Sequence, residues 1–563
     1  MKTQAFELRT QRLGPLPLVS HYLDRLGLAE LLERFVPTPD RRTRLPYHIG
    51  LGIVLRSIIT EREPLYRLGE VVETFAPEGF GLSEEEASEL GDDAIGRALD
   101  RLFDADRGSL LTEIVLAAVD RFELAMDECH NDSTTVRFTG QYKEAMGRSL
   151  RGKKAPFITY GYSKDHRPDL KQLLFILTST RDGGVPIQFR VEAGNQNDSR
   201  THEESWEALR KVAGRDDFLY VADSKLCGAE AMEYIHAHGG RFVTVMPRSR
   251  GEDKDFRAWI QDHEPEWEKV WDRPNPRRKG GPRDRWFVFK HHLPSREGWP
   301  VTWVYSTLLR HKQAESRRER IARAEEDLRN LAHHHLHGRP RKRARAEVWK
   351  QVTSILETRR VSQYLKVTLD TVEQHSYRQE RRGRPGPNTT YRRVTKQRWQ
   401  ITWQVDEEAI AYDHRSDGMY PLLSNDRSLP PRQVLEAHKR QPVIESRFKQ
   451  TKTVHEITPV LLKNEGRVEA LFFLYFVALL LTALLERDLQ RAMAREEIEE
   501  LPLYPEERKT RRPTAEQVLR LFSLLERHRL YQAGKEVHVF SPKLTELQTR
   551  ILALLAVPPS VYR

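Results

Sequence analysis

The sequence predicts an α/β protein with three parts: an all-α N-terminal domain, a mixed sheet of hairpin-linked strands and alternating helices, and a β-rich segment with a helical pair that interrupts the sheet. Three observations carry this. Apolar residues recur at three and four spacing up to about residue 121, then give way near Phe122 to short β-type runs. Strand and helix patterns alternate between Ser205 and Met246. Between 248 and 420 the composition turns basic and aromatic, holding nine of the ten tryptophans. The segments expected are 1–121 (helical), 122–247 (first part of the sheet), 248–420 (β-rich insertion), 421–490 (return to the sheet) and 491–563 (helical).

In the first segment Leu16 to Phe35 and Ile49 to Ile59 carry the helical period. Ser83-Glu84-Glu85-Glu86 has the form of a capping box, and Gly91-Asp92-Asp93 offers a turn and a second cap before Ala94 to Phe103. The four candidate strands that follow are Glu128 to Phe138, Phe157 to Tyr162, Leu173 to Thr178 and Val185 to Val191. Next come a helix over Ser205 to Val212, a buried strand over Phe218 to Ala222, a helix over Ala229 to His236 and a strand over Phe242 to Met246. Ribonuclease H-like domains are built in this order. In the insertion, strands Trp286 to Lys290, Val301 to Ser306, Tyr364 to Thr371 and Trp399 to Val405 surround helices Gln313 to Leu331 and Ala344 to Glu357.

With 563 residues, 38% apolar and 31% charged, the chain is long enough for several modules and too well mixed for wholesale disorder. Its two cysteines, Cys129 and Cys227, exclude a disulfide framework and a four-thiolate zinc site. Ala470 to Leu485 is free of charge but only 16 residues long. A bilayer crossing takes about 20, so a buried core helix and no membrane are expected. The opening residues lack an apolar signal core, which points to the cytoplasm.

The net charge of +11 is unevenly spread. Glu70 to Asp106 holds twelve acids and two basic residues, leaving +21 on the other 526 residues, a surplus that suits a polyanion. The helix–turn–helix outline at 83–103 therefore lies under acids that repel phosphate. The densest basic run is Arg378, Arg381, Arg382, Arg384, Arg392, Arg393, Lys396 and Arg398, interleaved with Tyr377, Tyr391 and Trp399, a composition fit for phosphate contact and base stacking. His333, His334, His335 and His337 read as a polar loop between the inserted helices, since consecutive histidines do not converge on one ion.

Asp132 stands inside the first strand, where a carboxylate needs a partner or a cation. Asp223 ends the buried run Phe218 to Ala222, the place where open α/β sheets put ligand groups. Glu445 lies in Ile444-Glu445-Ser446-Arg447-Phe448, with Lys449 and Lys452 about one and two helical turns on. Three hard carboxylates without His or Cys suit Mg²⁺ or Mn²⁺, two ions of which serve in-line displacement at phosphorus.

The residues around these acids resemble those of bacterial insertion-sequence transposases of the DDE type, in the group with a Tyr-x2-Arg-x3-Glu-x6-Lys signature and a β-rich insertion before the glutamate. The resemblance rests on Asp132-Ser133-Thr134, Gly161 to Gln172, Gly194-Asn195-Gln196-Asn197-Asp198, Ala222-Asp223-Ser224, Asp417-Gly418, and Ile444-Glu445 with Lys452, and spans about 130 to 485. It implies that Asp132, Asp223 and Glu445 are the catalytic, metal-binding triad. It further implies two Mg²⁺ or Mn²⁺ ions, element-end and target DNA as partners, a homodimer on DNA, and a place in the bacterial cytoplasm near the nucleoid. The first segment is similar to the leader domain of this group. Lys452, by the resemblance, contacts end phosphate; the wider DNA-binding set expected is Lys449, Arg440, His438, Lys164, Arg167, Arg381, Arg382, Arg384, Arg392 and Arg393. Two signature places depart: His438 stands at the Tyr and Gln441 at the Arg, with Arg440 one residue off and so rotated by about 100° on a helix. A role for these two places in gripping a flipped base or forming a hairpin is not carried over. Strand transfer is the reaction implied; a nuclease without it and a non-catalytic DNA-binding protein are the alternatives.

Overall fold

A computed structural model describes residues 6–39, 43–139, 142, 145–161, 167, 169–196, 201–275, 280–337, 344–455, 462 and 464–563. The chain forms two compact units, one of residues 1–244 and 436–563, the other of residues 245–435.

The first unit is mixed α/β. Of the two caps expected, the one at Ser83 forms, whereas the helix expected from Ala94 starts at Asp92 behind Gly91 with no side-chain cap. Ser83 accepts from the Glu86 N–H while Glu86 accepts from the Ser83 N–H, closing the capping box of Glu84–Ser88. Gly27, at φ 67°, separates Leu16–Leu26 from Leu28–Phe35, so the one expected helix is two. The acid cluster is largely spent at helix starts and on arginines. Glu84, Glu85, Glu86, Asp92 and Asp93 lie in first turns, where the helix dipole favours negative charge. Asp100 receives Arg467 at 2.8 Å, and Asp104 receives Arg151 at 2.6 Å. The apolar face of Asp92–Asp104 (Ile95, Leu99, Leu102, Phe103) is buried against Tyr47–Thr60 and the long helix Glu465–Arg495.

That long helix is the spine of the unit. By length and composition it could cross a membrane, yet its apolar window is 89% buried within the protein, as the charge-free run Ala470 to Leu485 predicts for a core helix. Phe472, Phe473 and Phe476 meet Phe138, Phe175 and Phe189 of the sheet, with Phe189 and Phe476 stacked at 4.8 Å between centroids.

The sheet of this unit runs in the order Pro186–Ala193, Lys171–Thr180, Glu128–Phe138, Leu219–Ala222, Arg241–Val245. The first three strands are antiparallel and the last two join in parallel, with helices His202–Ala213 and Ala229–Ala237 in the crossovers. Of the strand expected over Phe157 to Tyr162, Tyr162 lies outside the described residues, and the described residues 157–161 form no strand. Only isolated bridges occur, from Met146 to Phe157 and from Thr159 to Gln172, because Lys171–Thr180 already has a neighbour on each side.

Two further expectations need correction. The N-terminal domain is not all-α: Phe6–Arg12 is a strand paired antiparallel with Glu526–Gln532, which in turn pairs with Lys535–Phe540. The C-terminal segment is therefore not purely helical. Its hairpin turns through Ala533 and Gly534, both at positive φ, as a two-residue turn requires. A strand whose partner lies more than 500 residues away has no local signal, so only tertiary pairing reveals it.

In the second unit Glu268–Arg273, Asp284–Lys290, Val301–Ser306 and Met419–Ser424 form antiparallel neighbours. The tryptophans mostly pack here, Trp303 stacking on Phe256 at 3.5 Å and Trp259 on Phe289 at 5.8 Å. Helices Thr307–His337 and Arg345–Arg359 bury Ile321, Leu328, Val348 and Val352 against Leu365, Leu369 and Ile401 of a two-stranded ribbon, Leu365–Gln379 with Tyr391–Val405. His333, His334, His335 and His337 belong to the first of these helices, not to a loop. Buried His335 meets Gln351 at 3.1 Å, which continues the helix past its expected end.

Candidate active site

The site is built from three places in the first unit. In the parallel ladder Asn131 lies level with Ala222, so the next residues stand level where that ladder ends: Asp132 in the middle of Glu128–Phe138 and Asp223 just past the carboxyl end of Leu219–Ala222. Parallel neighbours run about 4.8 Å apart, and residues at one level share a face, so the two carboxylates point to one side of the sheet. Both are partly exposed. Asp132 accepts the Ser133 N–H at 2.7 Å, and Asp223 accepts the Lys225 N–H at 2.9 Å while Thr244 donates to the Asp223 carbonyl. Each carboxylate is thus oriented by backbone at the point where its strand ends or opens.

Glu445 lies, exposed, on helix Pro442–Lys449, which opens with Pro442 in its first turn after Gln441, the fresh start that a proline demands. Two arginines fix this helix. Arg440 donates twice to Glu128, both bonds 2.6 Å, and His130 meets the same carboxylate at 2.9 Å. Glu128, His130 and Asp132 alternate along one strand and so share a face. The chain leading into the Glu445 helix is therefore tied to the face that carries Asp132. Arg447, buried, donates to the Gly183 and Gly184 carbonyls at 2.7 and 3.0 Å and also engages Gln450 and Glu486. Gly184 is at φ 59°, and a Cβ there would come within 2.1 Å of Val443, so the hairpin turn must be glycine for the helix to sit down.

Burial works against the Glu128 charge, yet the hydrogen bonds from His130 and Arg440 outweigh it and bring its pKa down to about 2. Burial, then the nearby Lys439 and His130, lower His438 to about 3; burial, then Arg62 and Arg447, lower His455 to about 3.

The expected DNA-binding residues fall in different settings. Arg440 spends its guanidinium on Glu128, and Arg167 is paired with Asp169 at 2.7 Å. His438 lies at the end of helix Pro431–Arg440 with its imidazole held neutral by burial. Lys449 is exposed on the Glu445 helix. Lys452 belongs to a π-helical turn, Gln450–Val454, whose wider winding breaks the two-turn spacing from Glu445 that an uninterrupted α-helix would give. Lys164 lies outside the described residues. Arg381, Arg382 and Arg384 sit on the turn that closes the ribbon, and Arg392 and Arg393 on its returning strand, all exposed. The run is thus partly strand and partly the turn at residues 380–390. Its strands extend to Gln379 and from Tyr391, well past the expected Thr371 and Trp399, because cross-strand pairing continues through polar residues that carry no apolar alternation.

Register divides the ribbon into two faces. Arg378 lies opposite Arg392, Gln374 opposite Lys396 and Val372 opposite Arg398, which places four cations on one face. Tyr377, opposite Arg393, lies on the other, where Tyr377 and Tyr391 are 68% and 50% exposed and Arg393 bonds His375. Trp399 instead packs into the helical pair, so its aromatic surface serves the core.

Among the described residues no group of three or more Asp, Glu, His or Cys is placed to hold a metal ion. What the fold assembles is the level pair Asp132 and Asp223, an all-oxygen donor set that fits a hard cation, and Glu445 on a helix anchored to the same strand. The sequence pointed to the three acids. It missed Glu128, His130 and Arg447 and took Arg440, the partner of Glu128, for a DNA contact, because the polar neighbours of these residues along the chain give no local sign of burial.

Residues 8–116 match the family described as Domain of unknown function (DUF4277), and residues 129–481 match the family described as Transposase DDE domain. No protein of curated function matches the chain. Among solved structures, the cryo-EM structure of the piggyBac transposase synaptic complex with hairpin DNA is similar at 10% identity and a TM-score of 0.26. That alignment covers 53% of this chain and 63% of the other, less than two thirds of it, a likeness too slight to bear on the fold. The DDE match runs across well over half of the chain, from before Asp132 to beyond Glu445, and on that extent the chain belongs to the transposase DDE domain family.

Proposed function

We propose that this protein is an insertion-sequence transposase that cleaves DNA at the ends of its element and joins the 3′-hydroxyls to target DNA. The single observation that supports this reading is the level placement of Asp132 and Asp223 on neighbouring parallel strands, inside the residues that match the DDE family. Asp132 and Asp223 would hold divalent ions, with Glu445 as the third carboxylate of the set. Two Mg²⁺ or Mn²⁺ ions supply activation of the attacking oxygen and neutralisation of the leaving one. The chain's own residues do the rest: the backbone N–H groups of Ser133 and Lys225 orient the two aspartates, while Arg440 and Arg447 set the helix that brings Glu445.

In this reading the sheet is ribonuclease H-like, residues 248–420 are a β-rich insertion, and the exposed cations of its ribbon hold duplex phosphate with Tyr377 and Tyr391 free to stack on bases. Lys449 and Lys452 track the end phosphates, and the protein works as a homodimer on paired ends in the bacterial cytoplasm. With His438 neutral and Gln441 in place of the signature Arg, end handling proceeds without the base grip of that signature.

The test incubates the full chain with Mg²⁺, an end-bearing duplex from the flank of the encoding gene, and a supercoiled plasmid. Joined products are expected. Asp132→Asn or Asp223→Asn should lower cleavage by about 10³-fold or more while duplex affinity stays within about twofold, since neither aspartate neutralises phosphate. Nicking without joined products would reduce the reading to a nuclease. Cleavage that survives in both variants would end it.

A further inference from the structure

In the second unit a pocket of about 230 Å³ is walled by Arg248, Arg257, Lys312, Arg317 and Arg320, with Asp413 and Asp417 its only acids. Helix Thr307–His337 builds one wall: Leu309, Lys312, Gln313, Ser316, Arg317 and Arg320 recur at three and four spacing and so form a single stripe. The acids are already engaged. Asp417 receives Arg317 and meets His414 at 3.1 Å, and Asp413 receives Tyr364 and Gln363. Arg257 is held by Asp253 and Ser416. Three cations remain without a carboxylate partner among the described residues: Arg248, Lys312, and Arg320, which donates only to the Ser316 and Arg360 carbonyls.

Two further observations concern the arginines of this pocket. Arg317 is buried with a side chain 7% exposed, and its Nε has no hydrogen-bond partner, a donor left unsatisfied where a lost bond costs about 1–3 kcal/mol. Arg248 is crowded: partial burial, then the charge of Arg257, draw its pKa below the ordinary guanidinium value, a strain that an anion between them would relieve. Arginines braced by carboxylates beside cations that lack one are an arrangement by which guanidinium groups receive a tetrahedral oxyanion.

We propose that this pocket is a binding site for a phosphate group. Asp413, whose partners Tyr364 and Gln363 are neutral, offsets one of these three cations, and the remaining excess of two matches a phosphate dianion; the volume admits the group together with part of what it is attached to. One chemistry has two sources here, a phosphate of a DNA strand or a free phosphate compound such as a nucleotide.

The experiment titrates inorganic phosphate into the full chain at constant ionic strength, chloride making up the balance, and follows the ³¹P linewidth. Wild type should saturate, and the double variant Arg248→Gln/Lys312→Gln should bind at least tenfold more weakly. Arg323→Gln/Arg329→Gln, exposed on the same helix outside the pocket, should bind as wild type does. Unfolding temperature reports whether the first variant folds. If it does not, Lys312→Met, at an exposed position, should still weaken phosphate by at least threefold. Phosphate bound equally by wild type and the folded pocket variants, or no broadening beyond that given by chloride, overturns the proposal. A second arm measures duplex affinity against salt. DNA is the source if the double variant flattens the log–log slope by about two and duplex displaces phosphate. A free phosphate compound is the source if the slope is unchanged while phosphate binding is lost. No cleavage is read, so this outcome is independent of the reaction proposed above.

Discussion

Arginine does opposite things in two regions of this molecule. In the first unit Arg440, Arg447 and Arg487 are consumed inside the fold. Arg487, 1% exposed, donates to Asp182 and to the Phe122 and Glu123 carbonyls, while Arg440 and Arg447 tie the Glu445 helix to the sheet. On the ribbon Arg378, Arg381, Arg382, Arg384 and Arg392 stand exposed, without ion-pair partners among the described residues. The difference teaches that a basic residue count describes neither stability nor binding until burial is known. A buried arginine that loses its role leaves carbonyls and a carboxylate stranded, whereas an exposed one leaves only water.

The comparison is broken most forcefully at Arg487. Arg487→Met should destabilise the first unit by about 3–5 kcal/mol, read by chemical denaturation, and a loss below 1 kcal/mol would put this arginine with the exposed ones. Arg440→Met comes next, with about 3 kcal/mol lost because Glu128 is left buried without its main partner. Its DNA salt slope should be unchanged, which distinguishes this arginine from a phosphate contact.

A third measurement asks whether the buried network tolerates protons. His455 is buried and its pKa in the fold is about 3, against an ordinary 6.5, so the folded state binds fewer protons than the unfolded one between those values. Stability therefore rises with pH across that window and is complete above 6.5. On acidification from pH 6.5 to 5 His455 alone should cost about 2 kcal/mol. His455→Phe should flatten the stability profile over that range, and a profile as steep as wild type would remove this histidine from the account. Glu128, depressed to about 2, contributes in the same direction lower down: its stabilisation is present above about 4.5 and is lost as pH falls towards 2.

The smallest stability effect belongs to the ribbon. Arg378→Gln/Arg392→Gln should leave stability within about 0.5 kcal/mol, since both side chains are exposed on one face. Duplex affinity should fall at moderate salt, with the log–log slope reduced by about two. The matched change on the opposite face, Arg393→Gln, should reduce it less, because that guanidinium already serves His375. Equal losses from both faces would dissolve the distinction between them.

Much of the element order was legible along the chain. Val301–Ser306 occupies the residues its pattern predicts, and Ala229–Ala237 and Leu219–Ala222 shift by only a residue. These segments combine a clear period with turn residues at their ends. The capping box at Ser83 was equally plain, because its hydrogen bonds join residues three apart. The sequence also singled out Asp132 and Asp223, since carboxylates inside or at the end of apolar strand runs are costly without a purpose.

Other features have no local cause. Whether Arg440 points to solvent or to Glu128 depends on a strand about 300 residues away. The pairing of Phe6–Arg12 with Glu526–Gln532 joins the two ends of the chain, and the pocket around Arg317 gathers residues from Arg248 to Asp417. Periodicity and capping are short-range consequences of backbone geometry and were therefore fixed by the sequence itself. The level of Asp132 with Asp223, the anchoring of Glu445 and the division of arginines into buried and exposed were decided only by tertiary structure, because desolvation and ion pairing depend on which distant neighbours the fold brings within a few ångströms.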